Sequence, residues 1–395
     1  MWLLLANWAT LGLIGLRVAE DAASAKCRFQ AGDILFGKLR PYFRKVVRVL
    51  FEGICSTDIW VVRPREGVDP GYLFYLMASD LFVEPVVRAS EGTKMPRAKW
   101  EYAAALELPR PPLPEQRAIA RILGTLDDKI ELNRRLAHIL EEMARALFKA
   151  WFVDFEPVRA KIDGRWRPGG SLPGLPAHLY DLFPDRLVDS EVGPIPEGWE
   201  VKSLDHICTF HNGLALQKYP PIGDGRFLPV IKIAQLRTGI AQGADRASAD
   251  LKPAYVVHDG DVLFSWSGSL ECVYWAGGQG ALNQHLFKVA PNGYPKWLCH
   301  LAIHTHPDEF RHIAAGKATT MGHIQRHHLS DAKISVPRAE LIGDLDAAIG
   351  ALLEETWRLN VASQTHACLR DILLPKLVSG EIRLAAPERV LAEVE

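Results

Sequence analysis

The chain has 395 residues, 48% of them hydrophobic and 24% charged, with a net charge of −1; it is long enough for two or three domains with real cores. A balance so near neutrality argues against a non-specific polyanion binder, which grips phosphates through an excess of Lys and Arg. The six cysteines show no CxxC spacing, which excludes a disulfide framework and reads as reduced thiols in a cytoplasmic protein.

In chain order, the apolar opening at 2–16 lacks a basic n-region, is interrupted by Asn7 and Thr10, and is too short to span a bilayer. Residues 1–112 read as short strands and turns with some helix, including a β-branched and aromatic run at 55–62 and an amphipathic helix at 71–82. Within this stretch Lys38, Arg40, Arg44, Lys45 and Arg48 follow one another with no acid among them; taken alone, the cluster is equally well a solvated face. After Pro109, Pro111, Pro112 and Pro114 the pattern turns helical. Ile119, Leu123, Leu126, Ile130, Asn133, Ala137, Leu140, Ala144 and Leu147 step by fours and threes, an a/d seam on a helix at 113–156. Residues 157–196 are rich in Pro and Gly and predict an extended connector. A second globular stretch at 197–337 and a second long helix at 338–382 follow, with a tail at 383–395. His300, His304 and His306 lie near Cys299 but without a second close-set ligand pair, so no metal is expected.

The second half echoes the first. Gly32-Asp33-Ile34-Leu35-Phe36 returns as Gly260-Asp261-Val262-Leu263-Phe264, 228 positions on. Residues 56–62 are echoed by 283–289, Leu108-Pro109 by Val336-Pro337, and Leu132-Asn133 by Leu359-Asn360. That spacing is far beyond a solenoid period and means two related modules, each a mixed α/β unit followed by a long helix. Neither helix hides its stripe alone, so the two are expected to pair antiparallel, as a coiled coil between the two units. Asn133 and Asn360 occupy equivalent places, where a buried polar residue would fix register; a solvent-facing position is the other reading. Residues 5–8 fall on 233–236 in this alignment, so the opening is expected to be an interior strand, and 193–228 have no counterpart. A misassigned start or a natural truncation of the first module is the expectation that follows.

No Walker loop, GxGxxG, HExxH or GxSxG motif is present, which points to a binding component without catalysis of its own. Polar loops at equivalent places diverge while the scaffold repeats. In the first copy they carry Lys38, Arg40, Arg44, Lys45, Lys94, Arg97 and Lys99. In the second they carry Ser265, Ser267, Lys317, Thr319, Thr320, His323, Gln325 and Arg326. These are residue types that read base edges and grip phosphates, and they are the candidate DNA contacts. A structural scaffold whose globular ends bind protein is the rival reading; steeply salt-dependent duplex binding separates the two.

Four stretches resemble the specificity subunit of type I restriction–modification enzymes: Leu113-Pro114-Glu115-Gln116-Arg117; residues 148–158, with Trp151, Phe152 and Phe155; Gly193-Pro194-Ile195-Pro196-Glu197-Gly198-Trp199; and residues 369–382. The resemblance implies two target recognition domains that read a split DNA site. It also implies paired helices that act as a ruler and dock two modification subunits. The chain would bind no cofactor, S-adenosylmethionine, ATP and Mg being held by the modification and restriction subunits, and it would direct adenine methylation and cleavage by them. Trp151, Phe152 and Phe155 are expected on the partner-binding helix. Two departures stand out: the first domain lacks its front end, and the second helix opens with Pro337-Arg338-Ala339-Glu340-Leu341 in place of a Leu-Pro-Glu-Gln copy.

Overall fold

The computed structural model describes residues 2–4, 16–18, 26–92, 94–221, 225–241, 243–306, 310, 324–384 and 387–392. It divides into two compact units, Met1–Glu131 with Thr365–Glu395, and Leu132–Gln364.

In the first unit the strands are β1 (Trp2–Leu4), β2 (Leu16–Val18), β3 (Lys26–Phe29), β4 (Ile34–Gly37), β5 (Val46–Arg48), β6 (Gly53–Ser56) and β7 (Ile59–Val62). They form one sheet in the order β2-β1-β6-β3 and another in the order β5-β4-β7. Ile34, Leu35 and Phe36 are all buried, as expected of an apolar run packed on both faces. The turn before β4 needs a glycine, because Gly32 has φ +91°, a region closed to most side chains. Asp33 then closes that turn: its carboxylate accepts from the Gln30 amide at 2.7 Å and from Arg63 at 2.7 and 2.8 Å. Burial works against ionising Asp33, but these donors hold its pKa below the usual carboxylate value.

Helix α1 (Pro70–Ala78) has Asp69 as N-cap, accepting from the Tyr72 amide, with proline in its first turn. Helices α2 (Asp80–Arg88) and α3 (Trp100–Ala104) follow, then the long α4 (Leu113–Phe148), a π turn at Lys149–Val153, and α5 (Glu156–Ile162). The Leu-Pro-Glu-Gln opening of α4 has a physical role: Gln116, 1% exposed, accepts from the Asp69 amide at 2.9 Å and donates to the Pro111 and Gly67 carbonyls. It thereby joins the start of α4 to the cap of α1.

The second unit takes in the end of α4, the π turn and α5, and then holds β8 (Leu187–Val188), β9 (Ile195–Pro196), β10 (Glu200–Ser203), α6 (Leu204–Ile207) and β11 (Cys208–Asn212). Then come β12 (Phe227–Ile231), α7 (Ile233–Thr238), β13 (Arg246–Ser248), β14 (Val256–Val257), β15 (Val262–Ser265), β16 (Cys272–Tyr274), β17 (Gly280–Leu282) and β18 (Leu286–Pro291). It continues through α8 (Lys296–Ile303), α9 (Arg326–Asp331), β19 (Lys333–Val336), α10 (Ala339–Leu345), a π turn at Asp346–Gly350 and α11 (Ala351–Ser379), beyond which lies α12 (Pro387–Ala392). The sheet orders are β13-β12-β17-β14 and β11-β18-β15-β16; the first repeats β2-β1-β6-β3 of the first unit, and the second repeats β7-β4-β5 with β11 added at its edge. The opening strand β1 pairs parallel with β6 as β12 does with β17, an interior strand as expected. Gly260 has φ +82°, and Asp261 accepts from the His258 amide at 2.8 Å, so the Gly-Asp turn is rebuilt, with Lys288 at 2.7 Å taking the place of Arg63. Strand β11 on β18, and β10 on β19, have no counterpart among the described residues of the first unit.

The seam expected on α4 is the one observed: Ile119, Leu123, Ile130, Ala137 and Ala144 are buried. Within the first unit, Glu115 meets Arg383 and Asp127 meets Arg370, so one helix ascends as the other descends, an antiparallel pair. Within the second unit, Ala137 lies opposite Thr356, whose hydroxyl donates to the Ala137 carbonyl at 3.4 Å. Asn133 and Asn360 are both half-buried.

Two expectations need correction. The 157–196 stretch is no extended connector. Its apolar residues Trp166, Leu175, Leu179 and Phe183 are buried in the core that also holds Trp151, and β8 and β9 form a hairpin. Trp151, Phe152 and Phe155, 3%, 3% and 8% exposed, are likewise internal. Phe152 stacks on Phe148 at 4.5 Å, and Phe152 and Phe155 both pack on Trp199, so they bind this chain's own fold.

Candidate nucleic-acid interface

In the first unit three separate segments are joined by backbone hydrogen bonds, and one of these bonds recurs at the equivalent position in the second. In the first, the amide of Ala98 donates to the Lys38 carbonyl at 2.9 Å, Arg40 N donates to Pro96 O at 2.7 Å, and Lys38 N donates to Asp58 O at 3.0 Å. In the second, Ile324 N donates to Trp266 O at 3.0 Å, the same bond as Ala98 to Lys38. The β4–β5 loop thus lies against the 91–99 loop, and the β15–β16 loop against the segment entering α9. Sequence placed candidate readers on all four loops; the fold brings them together in pairs.

The paired loops also share strain. Arg40 and Arg44 adopt left-handed conformations, φ 53° and 51°, flanking a Pro41–Phe43 turn. Gly268 and Leu270, at matching places in the second unit, have φ 70° and 52°. Left-handed Arg and Leu cost energy and tend to occur where function over-determines the backbone.

The chemistry of the two sites differs. In the first, Arg44, Lys94, Arg97 and Lys99 are exposed, while Lys38, Arg40 and Lys45 are half-buried. Arg44 pairs with Asp80, Arg97 with Asp58 at 3.5 Å and Lys99 with Glu91 at 2.5 Å. Each pair is open to water and therefore weak. Tyr42 and Phe43 were not anticipated; they stand 47% and 48% exposed at the loop tip, with Lys45 Nζ 5.4 Å from the Phe43 ring centre. Their signal in the sequence was two adjacent aromatics inside a basic run.

In the second site the partners are neutral. Trp266 Nε1 donates to Asn212 Oδ1 and to the Gln284 carbonyl, and its ring lies 5.5 Å from that of His285. Ser265 and Ser267 are buried: Ser265 Oγ accepts from the Glu271 amide at 2.7 Å, and Ser267 Oγ lies 3.5 Å from His285 Nδ1. As direct DNA contacts these two serines are corrected; they shape the loop from inside. Gln325 and Arg326 are exposed. Gln325 caps α9, and Arg326 Nη2 donates to the Phe210 carbonyl at 3.2 Å. Lys317, Thr319, Thr320 and His323 lie outside the described residues. Gln284 and His285 were missed as site components; they come from the counterpart of Ser56–Asp58, which supplies the third segment in the first unit.

Apolar side chains also remain exposed on the long helices. Leu132, Leu136, Ile139 and Met143 are 64%, 41%, 54% and 48% exposed, a stripe at helical spacing apart from the buried seam. Among the described residues no helix is long and apolar enough to cross a membrane.

The family model of the type I restriction modification DNA specificity domain matches residues 22–142 and 196–353, once per copy of the repeat. The chain is similar to the HindI specificity subunit of Haemophilus influenzae, 26% identical over 92% of this chain and 90% of that protein. It is 31% identical to the EcoDI specificity subunit of Escherichia coli over 38% of this chain and 33% of that one. A crystal structure of a type I restriction–modification S subunit from M. genitalium covers 89% of this chain and 83% of its own, at 13% identity and a TM-score of 0.47.

Proposed function

Because the chain belongs to the type I restriction modification DNA specificity family, we propose that each unit reads one half of a bipartite DNA site through its joined loops. Its role is DNA sequence recognition within a type I restriction–modification complex. The observation that carries the finer reading is the shared hydrogen bond, Ala98 to Lys38 and Ile324 to Trp266. The same backbone device holds cationic side chains in one unit and amide, imidazole and indole groups in the other. Arg40, Arg44, Lys45, Lys94, Arg97 and Lys99 suit phosphate positioning, whereas Arg326, Gln284 and His285 suit base edges.

Two modification subunits dock on the helices in this reading, and the Leu132–Met143 stripe is the surface they cover, since an exposed apolar stripe of that length marks an interaction face. Adenine methylation, and cleavage with the motor subunit, belong to those partners, which hold S-adenosylmethionine, ATP and Mg.

The test is duplex binding by the full-length chain with its modification subunit across a salt series. Replacing Lys94 and Arg97 by alanine should lower the log–log salt slope by about one per lost phosphate contact and weaken all sequences alike. An unchanged slope removes these residues from the interface. Binding indifferent to both salt and sequence returns the chain to the scaffold reading.

A further inference from the structure

We propose that Cys272, His300 and His304 supply three ligands of a metal site, of the kind that takes zinc, at the base of the second unit's recognition loop. The histidines near Cys299 lacked a second close-set ligand in the sequence, because Cys272 is remote in the chain from them. The fold closes that gap. Cys272 opens β16, two residues after the left-handed Leu270, while His300 and His304 sit four residues apart on one face of α8 and its cap. Their ligand atoms all lie within 4.8 Å of one another.

Two features fit a metal. A tetrahedral zinc about 2.3 Å from sulfur and about 2.0 Å from nitrogen sets the sulfur–nitrogen edge near 3.6 Å, and Cys272 Sγ lies 3.6 Å from His300 Nδ1. Second, both rings offer a lone pair. His304 Nε2 lies 3.0 Å from the Cys272 carbonyl; with the proton on that nitrogen, Nδ1 carries the lone pair. His300 Nε2 faces Glu141 Oε1 at 3.6 Å, enclosed and without a full hydrogen bond. That is the carboxylate–imidazole arrangement that orients a metal-binding histidine. Arg145, 3.4 Å from His304 Nε2, opposes a cation, but Glu141 at 2.6 Å offsets its charge. Cys299, the thiol nearest in sequence, donates instead to the Ile207 carbonyl at 3.5 Å.

On binding, the Cys272 thiol would lose its proton to solvent and the thiolate would become the sulfur ligand, with one nitrogen of each histidine, Nδ1 in His300, completing the protein's ligands. The ion would pin β16 to α8 just where the β15–β16 loop ends, fixing the loop whatever that loop reads. The experiment is metal analysis of the full-length chain from zinc-supplemented culture, with C272S, H304N and, as control at an exposed thiol, C368S. The site predicts about one equivalent of zinc in the wild type and C368S, and its loss in C272S and H304N. Cobalt substitution of the wild type should give a thiolate-to-cobalt charge-transfer band, a readout that stands even where a variant fails to fold. Substoichiometric zinc in the wild type, or cobalt protein without that band, overturns the proposal.

Discussion

Replacing Asp33 by asparagine tests whether the repeated Gly-Asp turn anchors the strand that carries Lys38 and Arg40. The carboxylate makes two charge-assisted contacts to Arg63 and one to the Gln30 amide, and its side chain is only 6% exposed. Hydrogen bonds to charged groups contribute about 1.5–3 kcal/mol each at most. Because the Arg63 side chain is 55% exposed, water recovers much of that, and about 1 kcal/mol is the expected cost. In hydrogen–deuterium exchange of the full-length chain, that means about five-fold faster opening of amides in β4 and β7, with β15 and β18 unaffected. The pH dependence has a definite sign. Asp33 titrates below its unfolded value of about 3.9, so its contribution is complete above that pH and disappears as pH falls through the folded value. The difference between wild type and D33N in urea melts should therefore hold from neutrality to about pH 5 and vanish in strong acid. Equal exchange at neutral pH, or a difference that grows in acid, would refute this account of the turn.

Arg370→Ala should destabilise the first unit by about 2 kcal/mol in urea melts, since Asp127 keeps Tyr75 but loses a partner at 2.7 Å in a site about one-fifth exposed. Leu136→Glu with Ile139→Glu should leave the fold intact and abolish co-purification with the modification subunit; undiminished co-purification would free that stripe of its assigned role. Tyr42→Ala with Phe43→Ala should weaken duplex binding at least several-fold while leaving the thermal melting of the chain unchanged, because both rings are already half in water. Equal affinity would make them ordinary surface residues.

Most of the architecture was legible because it is written twice. A Gly-Asp turn recurring 228 residues apart needs the same left-handed glycine and the same capping carboxylate, so a common fold followed. The α4 seam was equally readable, since its apolar period matches the helix. What misled was composition. Prolines and glycines at 157–196 suggested an extended connector, yet Trp166, Leu179 and Phe183 bury enough surface to fold it. Trp151 and Phe152 continued the helical stripe in sequence, but the π turn at Lys149–Val153 redirects them into the chain's own core, while Leu132 to Met143 stay exposed. The readers were half legible. Arg, Lys and Gln marked the loops, but Ser265 looks like a contact in sequence and faces inward in the fold. Gln284 and His285 could not be placed beside Trp266 without the β15–β18 register.

Methylome sequencing of cells carrying the complex with Arg326→Ala, set beside cells carrying Lys94→Ala with Arg97→Ala, tests most directly whether the two joined-loop sites read separate halves of one target. The account predicts that Arg326→Ala relaxes one position in one half-site, at a cost of about 1–3 kcal/mol there, with the other half-site unchanged. The paired substitution in the first unit should lower methylation across sites without altering the motif. An unaltered motif and efficiency in both strains, or loss of sequence preference in both halves from Arg326→Ala alone, would contradict it.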